Sequence, residues 1–512
     1  LNPLTSTILE ELTRAGVQIS DKLRAELETR IDSRLMSWLR DENLRPDSDG
    51  PITDEPSQSQ SEQQVPNGSR DSQNGYAPFI STAASDSFFQ RRAFDTTRLR
   101  VGLMCDTYLP FSNGVTHMVA LLARTLAAWG HEPHIFTFAA PGAFRASLHD
   151  HEGIEVHHAP GMPILDSGYH FAMRYPLRMK WLLREMDVLH VHHPFISGRL
   201  AWRLKRPDQP LLFTNHTRYD IYGHYVQRVV PFVSEEVVRE RLIYRTARFA
   251  NRCDYVISPS ASVAEVLRQW GVLSPVETIP NGISLERFQK AHRDSSPTTR
   301  SAFRKRFGWF DNAKVLVYLG RLVPEKNIET LLKAFSLVRQ SAPEARLLLI
   351  GEGPLKDDLR IVARGLQLGN TVRFAGAMPY DEVPAALAAC DLFTSASVSE
   401  VHPLTFLEAM ASGLAAVGTR SPGVADTLRD DQVCTNGGTQ DNAQGTAPNG
   451  WLCEATPTAL SACMVKALSD EEERKRRAEQ AVRDSSAYSI EMTTRCTVDL
   501  YRLALTARMP SL

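Results

Sequence analysis

Ser399-Glu400-Val401-His402-Pro403-Leu404-Thr405-Phe406-Leu407-Glu408-Ala409-Met410-Ala411-Ser412-Gly413 follows the apolar run Asp391 to Ala396, and its proline fixes how the segment folds. A proline ring lacks an N–H and clashes with the preceding turn, so Pro403 fits the first position of a helix and no interior one. The run before it is then a strand. Glu400 belongs to the loop after that strand, and Glu408 lies more than a turn inside a helix that Gly413 closes with a left-handed cap. One carboxylate is carried on a loop at a strand end and the other is held rigidly beside it. Alone, two glutamates are also what a solvated helix face carries, so their meaning depends on their neighbours.

Upstream, Tyr318-Leu319-Gly320-Arg321-Leu322-Val323-Pro324-Glu325-Lys326-Asn327 ends an apolar strand, Val315 to Leu319. It opens a helix whose apolar residues Ile328, Leu331, Leu332, Phe335 and Val338 recur at helical spacing. The strand thus delivers two cations to a helix N-terminus. Arg321 offers a planar fork for phosphate oxygens, Lys326 a compact charge, and the helix start its unsatisfied N–H groups, a set that suits a diphosphate. Leu347-Leu348-Leu349-Ile350-Gly351-Glu352-Gly353-Pro354 is a buried strand running into a turn, where Gly351 and Gly353 allow close backbone approach to a ligand and also make an ordinary tight turn.

Further strands are read at Leu99–Met104, 133–138, 187–191, 211–214, 254–258, 314–319, 346–350, 372–375, 391–396 and 414–417, alternating with helical patterns. That order calls for parallel, doubly wound sheets with ligands at the carboxyl ends of their strands. After the first strand comes Pro110-Phe111-Ser112-Asn113-Gly114-Val115 and a helix with an apolar stripe. Leu211-Leu212-Phe213-Thr214-Asn215-His216-Thr217 is a strand ending in a histidine. His190, His192 and His193 end another, with His190 and His192 on one strand face. No Cys or carboxylate completes a metal-ligand set at usual spacing there, so cleft lining or hydrogen bonding is preferred to metal.

Together the glutamate pair and the Gly-Arg-Leu-x-x-Glu-Lys segment resemble the signatures of retaining, nucleotide-sugar-dependent glycosyltransferases of family 4, over roughly residues 98–508. The resemblance implies the GT-B architecture: two Rossmann-like α/β domains with parallel sheets and the active-site cleft between them. Before it, apolar spacing and composition read as a helical extension over 1–45 and a disordered polar linker over 46–95, and the resemblance implies an acceptor domain over 96–285. A nucleotide-sugar domain over 286–485 follows, then a helix over 486–512 that crosses back. The separation of the halves is read at Ile279 to Ser284 and the polar run Lys290 to Arg300, and Cys434 to Gly450 reads as a mobile surface loop.

As site residues the resemblance implies Glu400 at the donor sugar, Glu408 at the ribose hydroxyls, and Arg321 and Lys326 at the diphosphate. Gly351 and Gly353 fall on the nucleotide side, Gly114 in the loop over donor phosphate and acceptor, and His216 over the sugar. Many relatives have Gly-Phe-Gly where this chain has Val401-His402-Pro403, and Pro403 has no N–H to give, so the amides of Leu404 and Thr405 must serve the donor instead. Ser284 stands where the family often has Asp. The family needs no tightly held metal, and the resemblance implies no cofactor beyond the donor, UDP-glucose, as substrate.

Composition fits. The chain has 512 residues and 43% hydrophobic content, enough for two or three domains with real cores, and a net charge of -1 argues against a nucleic-acid binder. Seven scattered cysteines without a C-x-x-C motif suggest unpaired thiols in a reducing compartment. No apolar stretch is long enough to cross a membrane, so a cytoplasmic enzyme, peripheral on the inner face of the cell membrane, is expected. Thr214 to Val226 resembles the H-T-x-Y-x-x-Y-x-H-Y stretch of bacterial diacylglycerol glucosyltransferases. Around it, residues 174–252 hold 15 Lys/Arg against 7 Asp/Glu, with Phe171, Met173, Met179, Trp181 and Leu182 among the first cations. Such mixtures suit an anionic membrane surface and a lipid acceptor; they also suit a solvated basic helix face with ordinary core residues.

The expected function is hexose transfer from a nucleotide sugar to a lipid such as diacylglycerol. The alternatives are the same chemistry on a soluble or other lipid acceptor, a GT-B-like sugar-nucleotide epimerase, and a non-catalytic nucleotide-sugar-binding adaptor. The amphipathic pattern Leu23, Leu27, Ile31, Leu35, Trp38 is an element for partner binding or self-association, or a short appendage packed on the body.

Overall fold

The computed structural model describes residues 98–109, 111, 113–139, 153–163, 170–171, 175–221, 234–430 and 447–508. They belong to one compact unit of the chain, spanning 92–226 and 234–512. The expectations for residues 1–95, for Tyr222 to Val226, and for most of the Cys434 to Gly450 insertion fall outside the described residues.

Apolar runs form two parallel sheets. The first takes β1 (Arg100–Met104), β2 (Glu132–Ala139), β3 (Glu155–Pro160), β6 (Val188–Val191), β7 (Leu211–Thr214), β8 (Tyr255–Ser258) and β9 (Val276–Thr278), in the order β3-β2-β1-β6-β7-β8-β9. A short antiparallel pair, β4 (Met162–Pro163) with β5 (His170–Phe171), stands apart. The second sheet takes β10 (Lys314–Leu319), β11 (Ala345–Ile350), β12 (Val372–Gly376), β13 (Leu392–Ser395), β14 (Ala416–Thr419) and β15 (Gly450–Cys453), in the order β12-β11-β10-β13-β14-β15. Both faces of each sheet are covered, which is why the strands read as continuous apolar runs. On β11, Leu347 and Leu349 enter one core and Leu348 and Ile350 the other.

The polar run Lys290 to Arg300 is not a spacer between the halves. It contributes to two helices, Leu285–Asp294 and Pro297–Arg306, of which the second starts on a Ser296 capping box. Phe288 and Phe303 bury into the second core, and Arg304 grips Asp391 at 2.9 Å. The carboxyl-terminal helix, Ile490–Arg508, buries Val498, Leu500, Tyr501 and Ala504 in a core of the first sheet, while Arg508 pairs with Asp254. The last helix thus crosses back onto the first half.

Each strand order reverses once, between β1 and β6 and between β10 and β13. At such a reversal the connections leave to opposite sides and open a crevice beyond the strand ends. Arg321 and Lys326 follow β10 and Glu400 follows β13, so topology alone brings the first acid to the cations. The two halves touch where Asn281 Nδ2 donates to the His402 carbonyl at 3.1 Å and where Ser262 donates through N and Oγ to Asp426 at 2.9 and 2.6 Å.

Candidate active site

Lys326 Nζ lies 2.6 Å from Glu400 Oε1, with the two side chains 21% and 14% exposed. Lys326 ends a 3-10 turn, Pro324–Lys326, and Asn327, in the left-handed region, leads into the Ile328–Ser341 helix. Arg321, more open to solvent, reaches Glu325 at 3.3 Å. Tyr318 anchors this loop by donating its hydroxyl to the Arg321 carbonyl at 2.9 Å. Burial pulls the Glu400 carboxyl upward, but the charge and hydrogen bond of Lys326, a hydrogen bond from Ser397 and the charge of Arg321 outweigh it and hold it below the usual carboxylate range. Glu400 is therefore ionised at neutral pH.

Glu408 is the opposite case. It sits on the Leu404–Ala411 helix, 4% exposed, and accepts a hydrogen bond from the Tyr380 hydroxyl at 3.0 Å. Burial pushes its carboxyl up to about 8, against the downward pull of Tyr380 and Arg287. The two carboxylates are thus held in different protonation states by their surroundings. His117, from the Gly114–Ala128 helix of the first half, packs its ring against Tyr380 with centroids 4.2 Å apart. Tyr380 and His117 were not legible as site residues: each is one aromatic ring among many until the halves meet.

Pro403 is the N-cap of the 404–411 helix rather than its first helical residue. The Phe406 and Leu407 amides reach the Pro403 carbonyl at 3.1 and 3.3 Å. Leu404 and Thr405, one and two places in, have no carbonyl a turn behind them, and their N–H groups are the ones helix geometry leaves for a ligand. Gly413 has φ +77°, the left-handed cap expected of it.

Gly351 has φ +140° and a Cβ there would lie 1.9 Å from the Gly320 carbonyl oxygen; one on Gly353 would lie 2.4 Å from that of Leu322. The close approach these glycines permit is to the 320–322 backbone, and it is that packing which requires them. Gly114 begins its helix with open space where a side chain would stand.

His216 sits in a histidine cluster of the first half. Its Nε2 is 2.9 Å from His192 Nδ1, while His190 bonds Tyr501 at 2.7 Å and Thr214 at 2.6 Å. Burial, with neighbouring histidines adding to it, lowers His216 to about 3, and burial lowers His190 likewise to about 3. His216 is therefore a neutral hydrogen-bonding ring at pH 7, and its partner is His192 rather than either glutamate. Arg321, Lys326 and Glu400 form one constellation, and Glu408, Tyr380 and His117 a second drawn from three separate elements.

Two family models match the chain in sequence order, Glycosyltransferase Family 4 over residues 112–287 and Glycosyl transferases group 1 over 299–484. The chain is 29% identical over 337 residues to an alpha-monoglucosyldiacylglycerol synthase of Streptococcus pneumoniae, covering 65% of this chain and 74% of the relative. It is 27% identical over 340 residues to the enzyme of the same name from Acholeplasma laidlawii, covering 65% and 83%. A GDP-mannose-dependent alpha-mannosyltransferase of Corynebacterium glutamicum is 25% identical over 342 residues, covering 65% and 75%. Among solved structures, sucrose-phosphate synthase from Thermosynechococcus elongatus superposes with TM-score 0.63 at 19% identity, covering 80% of this chain and all of that one (100%). With two parallel-sheet α/β domains, Lys326 and Glu400 paired after their strand ends and both family models in place, the chain belongs to the GT-B glycosyltransferases of family 4 and is a hexosyltransferase resembling the diacylglycerol glucosyltransferases.

Proposed function

We propose that this enzyme moves glucose from UDP-glucose to a lipid acceptor such as diacylglycerol, with retention of the anomeric configuration, at the anionic cytoplasmic surface of a membrane. The observation that carries this reading is the Lys326–Glu400 pair beside Arg321, which sets cations for a departing diphosphate against an ionised acid. Arg321, Lys326 and the amides of Leu404 and Thr405 stabilise the leaving group where negative charge develops. The acceptor hydroxyl attacks from the face the diphosphate leaves and passes its proton to the departing phosphate oxygen. Glu400 remains a carboxylate that supports positive charge near the sugar, and no glycosyl–Glu400 bond forms. Neutral His216 orients the sugar, and Glu408 takes the ribose hydroxyls.

The two relatives named for monoglucosyldiacylglycerol synthesis support glucose and diacylglycerol, while the mannosyltransferase makes GDP-mannose the donor to exclude. The test is a donor panel with vesicles that carry or lack diacylglycerol, scored by nucleotide release and product mass. UDP release that rises with diacylglycerol and yields an α-glucosyl lipid is expected. GDP release alone, or UDP release with a free altered sugar, contradicts the reading.

The lipid arm has its own support. The Leu177–Glu185 helix buries Met179 and Leu183 but leaves Leu177 and Trp181, one turn apart, 72% and 70% exposed, with Arg178 and Arg184 beside them. An apolar pair ringed by cations fits a headgroup layer of anionic lipid. No helix among the described residues is long and apolar enough to cross a membrane. Burying a large apolar side chain is worth about 1.5–3 kcal/mol. Replacing Leu177 and Trp181 together with Ser should therefore weaken binding to phosphatidylglycerol vesicles by about 100-fold or more, with UDP affinity unchanged. Undiminished vesicle binding would remove this helix from the membrane face.

A further inference from the structure

At the edge of the first sheet lies a side-chain cluster that glycosyl transfer does not use. β2 and β3 run parallel with His134 beside Glu155 and Phe136 beside His157. Residues two apart on a strand share a face, so Glu132, His134, Glu155 and His157 converge on one side. His134 Nδ1 is 3.1 Å from His157 Nε2 and 3.3 Å from Glu155 Oε2, and the last two atoms are 3.5 Å apart.

This triangle has the size of a coordination shell. Four donors about 2.0–2.1 Å from a tetrahedral zinc stand roughly 3.3 Å from one another. While both imidazoles are neutral, hydrogen bonding alone serves the triangle poorly. His134 Nε2 lies 3.1 Å from Glu132 Oε1, and with its proton given to that carboxylate, Nδ1 is left as a lone pair. A proton on His157 Nε2 then satisfies one edge, while the Glu155 oxygen still faces a lone pair across another. A cation at the centre satisfies all three. An imidazole N–H donated outward to a carboxylate is also the support that metal-bound histidines usually have.

We propose that His134, Glu155 and His157 bind one divalent transition-metal ion, zinc by preference, with water at the fourth position and Glu132 orienting His134. Two imidazoles and a carboxylate suit zinc over magnesium or calcium. The ion would pin the edge strand β3 to β2, on the far side of β1 from the crevice between β1 and β6. It is a structural clasp, separate from the chemistry at Glu400.

The experiment uses the full chain stripped with a chelator, titrated with Co(II) while visible absorption is read, and with Zn(II) by calorimetry. The wild type should bind one equivalent more than the Glu155→Gln/His157→Gln variant, with a tetrahedral Co(II) band the variant lacks. Glu132→Gln, which keeps all three ligands, should weaken that equivalent by about 10- to 100-fold. Zinc should raise the melting temperature of the wild type and not of the double variant. His134 is left in place because it is nearly fully buried, and circular dichroism with UDP-glucose turnover verifies that the variants are folded. Equal uptake and equal Co(II) spectra in wild type and double variant, or no uptake by folded wild type, would overturn the proposal.

Discussion

Lys326→Met should lower kcat by about 10²- to 10³-fold, the loss expected when one charged group is taken from a developing anion. The same change leaves Glu400 a largely buried carboxylate without its partner. That should cost about 2–3 kcal/mol of stability, the low end for broken buried pairs because both side chains keep some water contact. Activity could then fall simply because the protein is damaged, and a second variant separates the causes. Lys326→Met/Glu400→Gln removes both charges, so it should regain most of the melting temperature and none of the turnover. If the pair served only to hold the loop, the double variant would recover activity together with stability. The wild-type pH dependence follows the same logic. Glu400 is held below its usual range when folded, so its stabilising share is present above the unfolded value and is lost as pH falls through the folded one.

Glu408→Gln should abolish a pH dependence that the wild type carries in the opposite sense. Burial raises Glu408 to about 8 from 4.5, so the folded state holds this proton more tightly than the unfolded state. Its contribution is complete below pH 4.5 and falls away as pH rises toward 8, by on the order of 3–5 kcal/mol. Gln keeps an oxygen for the Tyr380 hydroxyl but cannot ionise, so its melting temperature should stay flatter between pH 5 and 8 and exceed that of the wild type at pH 8. The cost is nucleotide affinity. A carboxylate accepting two ribose hydroxyls makes charge-assisted bonds worth about 1.5–3 kcal/mol each, so UDP should bind about 10- to 100-fold more weakly to Glu408→Gln at pH 8. Calorimetry at pH 7 in buffers of different ionisation enthalpy should detect close to one proton more released per UDP bound by the wild type than by the variant, whose release is only the fraction UDP's terminal phosphate still holds. Equal proton release by wild type and Glu408→Gln would take the ribose away from this residue.

Much of the fold could be read from runs such as Leu347 to Ile350, because a strand buried on both faces leaves nothing polar to confuse it. Lys314–Leu319 and Leu211–Thr214 have the ends expected of them. β3, β9 and β15 were not read: β3 is an edge strand with two histidines, β9 has only three residues, and β15 follows a polar insertion. The polar stretch Lys290 to Arg300 misled for the reverse reason. Its helices bury little beyond Phe288 and Phe303, so their sequence looks like a connector.

At the site, proline and glycine chemistry placed Glu400, Glu408 and Gly413 on their elements. Joining Lys326 to Glu400 across 74 positions needed the reversal between β10 and β13. Tyr380 needed still more, since its place beside Glu408 depends on a loop after β12 and its contact with His117 on the two halves meeting. Gly351 and Gly353 carry a pattern that ligand approach and backbone packing both produce, and the coordinates show the packing.

The central claim is that Arg321, Lys326, Glu400 and Glu408 receive a single nucleotide sugar. A crystal structure of the protein with UDP tests it most directly. The account predicts diphosphate oxygens hydrogen-bonded to Arg321 and Lys326 and the ribose hydroxyls on Glu408. A well-ordered UDP whose diphosphate touches neither cation would contradict it.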